Sequence, residues 1–255
     1  MKFFLAPMQG LTGYTVRNAF HHHFDYIDKY YTPFIPAAKR MNAKIKRDID
    51  PVNNDGITLI PQAMSIVADE VIDLHRQLVP YGYDEINVNL GCPSGTVVSK
   101  KRGSGILAYP DMLDSFLDEL YTKADFPVSI KTRVGFNDDE LWPKLIEIYS
   151  KYPISELTVH PRVQKDFYKN TPRMDDFALA MQKINPDKTI LCYNGDITDT
   201  NSFNALPDRF PDIDEIMIGR GLFANPALIA ELNGISMDKA ELRELSLIHI
   251  SEPTR

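Results

Sequence analysis

Asn87-Val-Asn-Leu-Gly-Cys-Pro93, with Glu85 and Ile86 leading into it, is an alternating apolar run that ends in a tight turn carrying one thiol and two carboxamides. Strand side chains alternate between faces, and the Gly-Cys-Pro that follows permits a sharp backbone turn and sets the exit from it. This is how a β-strand delivers chemistry to the rim of a barrel. Cys92 is then displayed at a strand end; the alternative is a core cysteine, since a free thiol packs as a small apolar residue.

Working outward, apolar and β-branched runs recur at 3–6, 26–31, 58–63, 85–89, 128–133, 157–160, 189–193 and 215–218. Helical patterns follow most of them, at 15–24, 69–79, 110–121, 140–150, 174–184, 201–206 and 226–232. Alternation of this kind is the signature of βα units around a parallel sheet. Eight strands in this length predict an α/β fold, a (β/α)8 TIM barrel, occupying residues 1–232 as one domain. No repeat, low-complexity segment or linker interrupts it.

A chain of 255 residues with 44% hydrophobic content can bury a large core. No apolar run approaches the roughly 20 residues needed to cross a bilayer, and the N-terminus lacks the apolar stretch and cleavage site of a secretory signal. A cytoplasmic protein with no membrane association is expected. Cys92 and Cys192 are the only cysteines, too few for a disulfide scaffold. The net charge of −7 argues against nucleic-acid binding by overall electrostatics, although local patches remain. Lys39, Arg40, Lys44, Lys46 and Arg47 form one basic cluster, and Lys100, Lys101 and Arg102 another just after the cysteine turn. Each alone reads as a solvated face; two basic loops on one rim would be a different matter.

In such a barrel, reactive groups lie where strands end and βα loops begin. Those positions hold Pro7, Met8, Gln9 and Gly10 after the first strand, Gln62 on the third, Asn89 and Cys92 on the fourth, and Lys131 and Arg133 on the fifth. His160 and Arg162 end the sixth, Asn194, Gly195 and Asp196 the seventh, and Gly219, Arg220 and Gly221 the eighth. Glycines in the last two loops, with an arginine, suit a phosphate held by backbone N–H groups. Gln62 offers a donor and an acceptor to an imide edge, and Lys131 can stabilise negative charge on a reduced ring, so a phosphate-bearing flavin meets both requirements. An ordinary thiol is mostly protonated near neutral pH, which suits a proton donor; a cysteine nucleophile would need a base, for which His160 is the candidate. His21, His22 and His23 are adjacent rather than at helical ligand spacing, so no metal is expected there.

Four motifs together resemble the tRNA-dihydrouridine synthases: Leu5-Ala-Pro-Met-Gln-Gly-Leu-Thr12, Asn89-Leu-Gly-Cys-Pro93, Leu157-Thr-Val-His-Pro-Arg162, and Asn194-Gly-Asp-Ile197 followed by Met217-Ile-Gly-Arg-Gly221. The resemblance spans about residues 3–232. It implies an FMN-binding barrel with a smaller C-terminal helical domain, using NADPH to reduce the C5=C6 bond of selected uridines in tRNA to dihydrouridine. By motif, Pro7, Met8 and Gln9 would line the flavin, Gln62 and Lys131 would contact its ring, and His160 would help hold it. Asn194, Gly195, Asp196, Gly219 and Arg220 would cradle its ribityl phosphate. Hydride would go to C6 and Cys92 would protonate C5. Asn89 would position the extruded base, Arg133 or Arg162 would grip nearby RNA, and Lys39, Arg40, Lys100, Lys101 and Arg102 would meet phosphates.

Two positions depart from that pattern: Asn87 stands where many relatives carry aspartate, and Pro161 replaces the usual glycine between the histidine and arginine of the sixth strand. The first is expected to change local hydrogen bonding, the second to remove a backbone donor and stiffen the loop. After 232, residues 233–244 read as the start of a truncated helical domain, and 245–255 as a non-native tail resembling translated sequencing adaptor. Two rival functions stay open: a flavin barrel that reduces a small pyrimidine or enone, and an RNA-binding or inactive remnant. The modified uridine, the choice between NADPH and NADH and the oligomeric state are not legible.

Overall fold

The structure is a computed structural model and describes residues 1–24, 26–37 and 40–235. Ten short strands, every pair parallel, form one sheet: β1 Lys2–Leu5, β2 Lys29–Tyr31, β3 Ile35–Pro36, β4 Leu59–Ile60, β5 Gln62–Met64, β6 Ile86–Leu90, β7 Val128–Gly135, β8 Glu156–Val163, β9 Ile190–Tyr193 and β10 Glu215–Ile218. The order is β3-β5-β6-β7-β8-β9-β10-β1-β2-β4. Its two ends are halves of the same two strands. β2 and β3 are separated around Pro33, β4 and β5 by Pro61 alone, and β2 pairs β4 while β3 pairs β5. Proline has no N–H for the ladder, so each strand breaks where it occurs. Rejoined, the ten segments are the eight expected strands, and the sheet closes into the (β/α)8 barrel.

Register sorts the side chains. Asn87 pairs with Ser129, and Asn89 with Lys131, on the interior face. Val88 and Ile130, between them, are fully buried in the larger core formed with the surrounding helices. A separate interior cluster of Phe4, Ala6, Tyr31, Ile60, Cys192 and Met217 fills part of the barrel. Below it, Glu156 accepts hydrogen bonds from Lys29 Nζ, Tyr31 Oη and Thr158 Oγ1, each at 2.7 Å. A buried carboxylate is tolerable only with this degree of pairing.

The helices Tyr14–His23, Ala68–Leu78, Pro110–Lys123, Trp142–Tyr149, Met174–Lys183, Thr200–Arg209 and Leu228–Leu232 agree with the predicted patterns to within a few residues. The helix Ala43–Ile49, which the sequence offers only as a basic cluster, supplies the connection after the second strand. Asn42 caps it by accepting the N–H of Ile45. Strands β7 and β8 run past their predicted ends. Arg133 pairs with His160 but Gly135 with Val163, so β8 carries one extra residue at Pro161 and Arg162. Pro161 therefore sits at a β-bulge, where a missing N–H costs no ladder bond. Among the described residues no helix is long and apolar enough to cross a membrane. Residues 236–255, which hold most of the expected truncated domain and tail, lie outside the described residues.

Candidate active site

The C-terminal mouth of the barrel opens into a cleft of about 430 Å³, within the range of small-molecule sites. Pro7, Met8, Gln9, Gln62, Lys131, His160, Asn194, Gly195, Asp196, Gly219 and Arg220 all line it, as do Cys92, Asn89 and Arg133. These residues come from strand ends spread over the whole chain, and the barrel brings them to one surface.

The cysteine turn is held from three sides. Asn89 Oδ1 accepts the N–H groups of Gly91 at 3.1 Å and Cys92 at 2.9 Å. The Cys92 carbonyl accepts from Ser104 N and Ser104 Oγ, at 3.1 and 2.8 Å. Gly103, at φ +56, passes so close that a Cβ there would lie 2.7 Å from the Cys92 carbonyl oxygen. The backbone is thus pinned while the thiol, free and partly buried, borders the cleft. Cys192, by contrast, is the core cysteine: it is fully buried, and burial pushes its thiol well up.

Three carboxamides run behind the cleft wall. Asn89 Nδ2 donates to Gln62 Oε1 and Gln62 Nε2 to Asn87 Oδ1, both at 2.8 Å, and Asn87 Nδ2 donates to Ser129 Oγ at 3.0 Å. Asn87, the departure noted above, is thus the link between Gln62 and Ser129. Lys131 stands beside them, and burial with the neighbouring Arg133 pushes its amine down to about 7. Burial and the cations Arg133, Lys131 and Arg162 push the His160 imidazole well below its ordinary range, so it is neutral. Its Nε2 lies 3.1 Å from Arg162 Nη1, a donor only, so Nε2 accepts and the ring proton is on Nδ1.

The opposite pole is built on Asp196. Arg162 grips both carboxylate oxygens, and Arg220 Nη2 reaches Oδ1 at 2.6 Å. Burial alone would raise this carboxyl, but the arginine contacts leave it below the ordinary carboxylate range. Asp196 is therefore not a direct phosphate ligand, since its charge opposes an anion; it orients Arg220, whose side chain is half exposed at the cleft edge. Gly195 is required by packing, since a Cβ there would fall 1.8 Å from Tyr193 Oη.

Neither Arg133 nor Arg162 is available to grip RNA. Arg133 is 2% exposed and donates to the carbonyls of Gly91, Val163 and Phe167. Arg162 is 1% exposed and donates to the carbonyls of Lys169 and Asn170 besides Asp196. Both guanidiniums instead hold the loop after β8. That loop carries Tyr168, a cleft residue the sequence reading did not single out, with Arg220 4.9 Å and Arg133 5.6 Å from its ring centroid. An aromatic residue in a βα loop following the His-Pro-Arg strand end was the signal available. Phe34, Leu11 and Thr198 also line the cleft unforeseen.

The basic loops have mixed fates. Arg40 and Lys100 are exposed, Lys101 lies 4.3 Å over the Tyr109 ring, and Arg102 is paired with Glu70 at 3.1 Å. None of them lines the cleft, although both loops follow strand C-termini and so belong to the same rim. Lys39 lies outside the described residues.

A parallel barrel whose mouth gathers a thiol, the carboxamides of Gln62 and Asn89, a lysine and an arginine-edged glycine pole belongs to the class of (β/α)8 folds with a ligand-sized cleft at the strand C-termini. The model of the dihydrouridine synthase (Dus) family matches residues 4–248, and the chain belongs to that family. A probable tRNA-dihydrouridine synthase of Staphylococcus aureus is 32% identical over 179 residues, covering 69% of this chain and 53% of that protein. The tRNA-dihydrouridine synthase B of Pasteurella multocida is 26% identical over 255 residues, covering 96% of this chain and 73% of that protein. The chain thus spans about half the length of the first of these relatives. Among solved structures, morphinone reductase superposes with a TM-score of 0.62 at 11% identity, covering 94% of this chain and 88% of its own. A variant of NCR from Zymomonas mobilis gives 0.61 at 12%, covering 94% and 89%. At these identities the likeness is one of fold.

Proposed function

We propose that this chain is the catalytic barrel of a flavin-dependent reductase that converts uridines of tRNA to dihydrouridine, in the cytoplasm, with NADPH as reductant. The observation that carries the reading is the placement of Cys92, Asn89, Gln62 and Lys131 on one cleft that also reaches the arginine-edged pole at Gly195, Gly219 and Arg220.

The residues present fit FMN. Gln62 retains one N–H and one acceptor lone pair after its two internal hydrogen bonds, the complement of an imide edge. Lys131 has no carboxylate within ion-pair distance among the described residues, so its charge is available to a ring that becomes anionic on reduction. Arg220 and the flanking glycines suit a terminal phosphate, with Asn194 held in place through its hydrogen bond to the Met217 carbonyl at 2.7 Å. When bound and reduced, FMN supplies a hydride to C6 of the uracil.

The chain's own residues supply the rest. Cys92 delivers the proton to C5 from its thiol, and the pinned turn holds the backbone from which that sulfur projects. Asn89 offers the base its second Nδ2 proton. The base must leave its stack to reach this depth, and exposed Tyr168 at the cleft edge offers it an aromatic face. Arg40, Lys100 and Lys101 give the rim the positive charge that a phosphate backbone needs, despite the acidic total.

The test is to purify the protein, record its flavin spectrum and compare NADPH-dependent reduction of unmodified tRNA with that of free uracil. Flavin uptake and reduction of tRNA alone are expected. Preferential reduction of free uracil or of an enone would favour a small-molecule reductase, and failure to take up FMN would sink both enzyme readings.

A further inference from the structure

We propose that Asn87, which lines no part of the cleft, is a positioning residue that holds Gln62 in the direction in which it presents a donor and an acceptor to a ring bound there. The inference rests on the reading of the cleft as a flavin and uracil site.

The direction of the carboxamide chain is imposed from the cysteine turn. The N–H groups of Gly91 and Cys92 can only donate, so the Asn89 atom facing them is oxygen and its nitrogen must point to Gln62. Gln62 then accepts with Oε1 and donates with Nε2, Asn87 accepts with Oδ1, and Asn87 Nδ2 donates to Ser129. At the far end the chain closes on the Ser129 hydroxyl, which accepts from Asn87 Nδ2 at 3.0 Å. The backbone N–H groups at the Asn89 end therefore dictate the order, and the Ser129 hydroxyl, which can accept, completes it.

Asn87, Gln62 and Ser129 are fully buried, and Asn89 is 9% exposed. Turning Gln62 or Asn89 over would set like groups against each other at both ends of its amide, leaving buried donors and acceptors unpaired. The consequence reaches the cleft. Gln62 has one N–H and one lone pair left, in an order the chain dictates, and a reversed amide would offer them in the opposite order to an imide. Asn89 has both lone pairs of Oδ1 engaged by backbone, so it presents only a donor.

The experiment compares wild type with Asn87→Leu, Asn87→Asp and Ser129→Ala, all checked for folding by thermal melting. Leucine is similar in size and cannot bond Gln62. Aspartate accepts from Gln62 and so preserves its direction. Ser129→Ala removes the acceptor for Asn87 and keeps the rest. In the apo proteins, side-chain amide exchange by ¹H–¹⁵N correlation reads the chain directly: Gln62 should be protected in wild type and Asn87→Asp, and lose protection in Asn87→Leu. With FMN, Asn87→Leu should bind about tenfold more weakly with a displaced flavin absorption band, the scale of one hydrogen bond. Asn87→Asp should restore both, and Ser129→Ala should fall between. Should Asn87→Leu fail to fold, Asn87→Asp and Ser129→Ala still decide. Unchanged Gln62 protection and flavin spectrum in Asn87→Leu, or in Ser129→Ala if only that variant folds, would overturn the proposal. A wild-type protein that takes up no FMN contradicts the functional reading, while the exchange pattern still reports on the amide chain.

Discussion

Arg133 donates from Nε to the carbonyl of Gly91 at 3.0 Å and, through its other nitrogens, to the carbonyls of Val163 at the end of β8 and Phe167 in the loop that follows. One buried guanidinium thereby ties the cysteine turn to the loop that carries Tyr168. Arg162 secures the far end of the same loop through the carbonyls of Lys169 and Asn170.

Arg162→Met should therefore unfold this rim before it affects chemistry. It leaves the Asp196 carboxylate with Arg220 alone and strands the carbonyls of Lys169 and Asn170, and loss of one partner from such a network costs about 3 kcal/mol. For a chain of this size that is a fall of roughly 6–12 °C in melting temperature. Differential scanning calorimetry checks it, and a change within about 1 °C would mean the pairing contributes little.

Gly103→Ala should disturb the cysteine turn. The positive φ costs an L-residue roughly 1–2 kcal/mol, and the added methyl meets the Cys92 carbonyl oxygen. The expected result is a melting temperature lower by several degrees, with flavin affinity kept and turnover reduced. Equal loss of flavin affinity and turnover would point to a general collapse of the site.

Lys131→Met should make the bound flavin harder to reduce. A cation beside the ring favours its anionic reduced form, so removing it lowers the midpoint potential. Because burial pushes the amine down to about 7, the wild-type advantage should be largest below that pH and shrink above it. Spectroelectrochemical titration at pH 6 and pH 8.5 measures this; equal potentials in the two proteins at pH 6 would remove Lys131 from the ring.

Asp176 gives a pH signature for stability. Burial and the neighbouring Asp139 push its carboxyl up to about 7, whereas an unfolded carboxyl titrates near 4. The native state therefore resists ionisation that the unfolded chain accepts, and wild type loses stability as pH rises from about 4 to about 7. Asp176→Asn removes that penalty, so its melting temperature relative to wild type should climb over this window and level off above it. A difference independent of pH would refute the assignment.

The barrel was legible because the strands fall in short apolar runs, β-branched or aromatic, and the breaks between runs are marked by Gly, Pro or charge. The splitting of the second and third strands is traceable to Pro33 and Pro61, but their pairing across the closure is a long-range fact that no local pattern carries. Helix Ala43–Ile49 was hidden because Ile45 and Ile49 are its only large apolar residues, too few for a clear period. Strand-end logic located the cleft residues, since a barrel places them together whatever their separation in the chain. It could not assign Arg133 and Arg162, whose fate depends on carbonyls of a loop without periodicity. Nor could it see that Asp196 meets two arginines.

The most direct test of the account is dihydrouridine formation in unmodified tRNA by flavin-loaded wild type and Cys92→Ala in a single turnover. The prediction is that both proteins hold flavin with the same spectrum and that the variant forms dihydrouridine about 10²- to 10⁴-fold more slowly, the usual contribution of a positioned acid. Equal rates in the two proteins would contradict the role of Cys92, and absence of product from wild type would contradict the reaction itself.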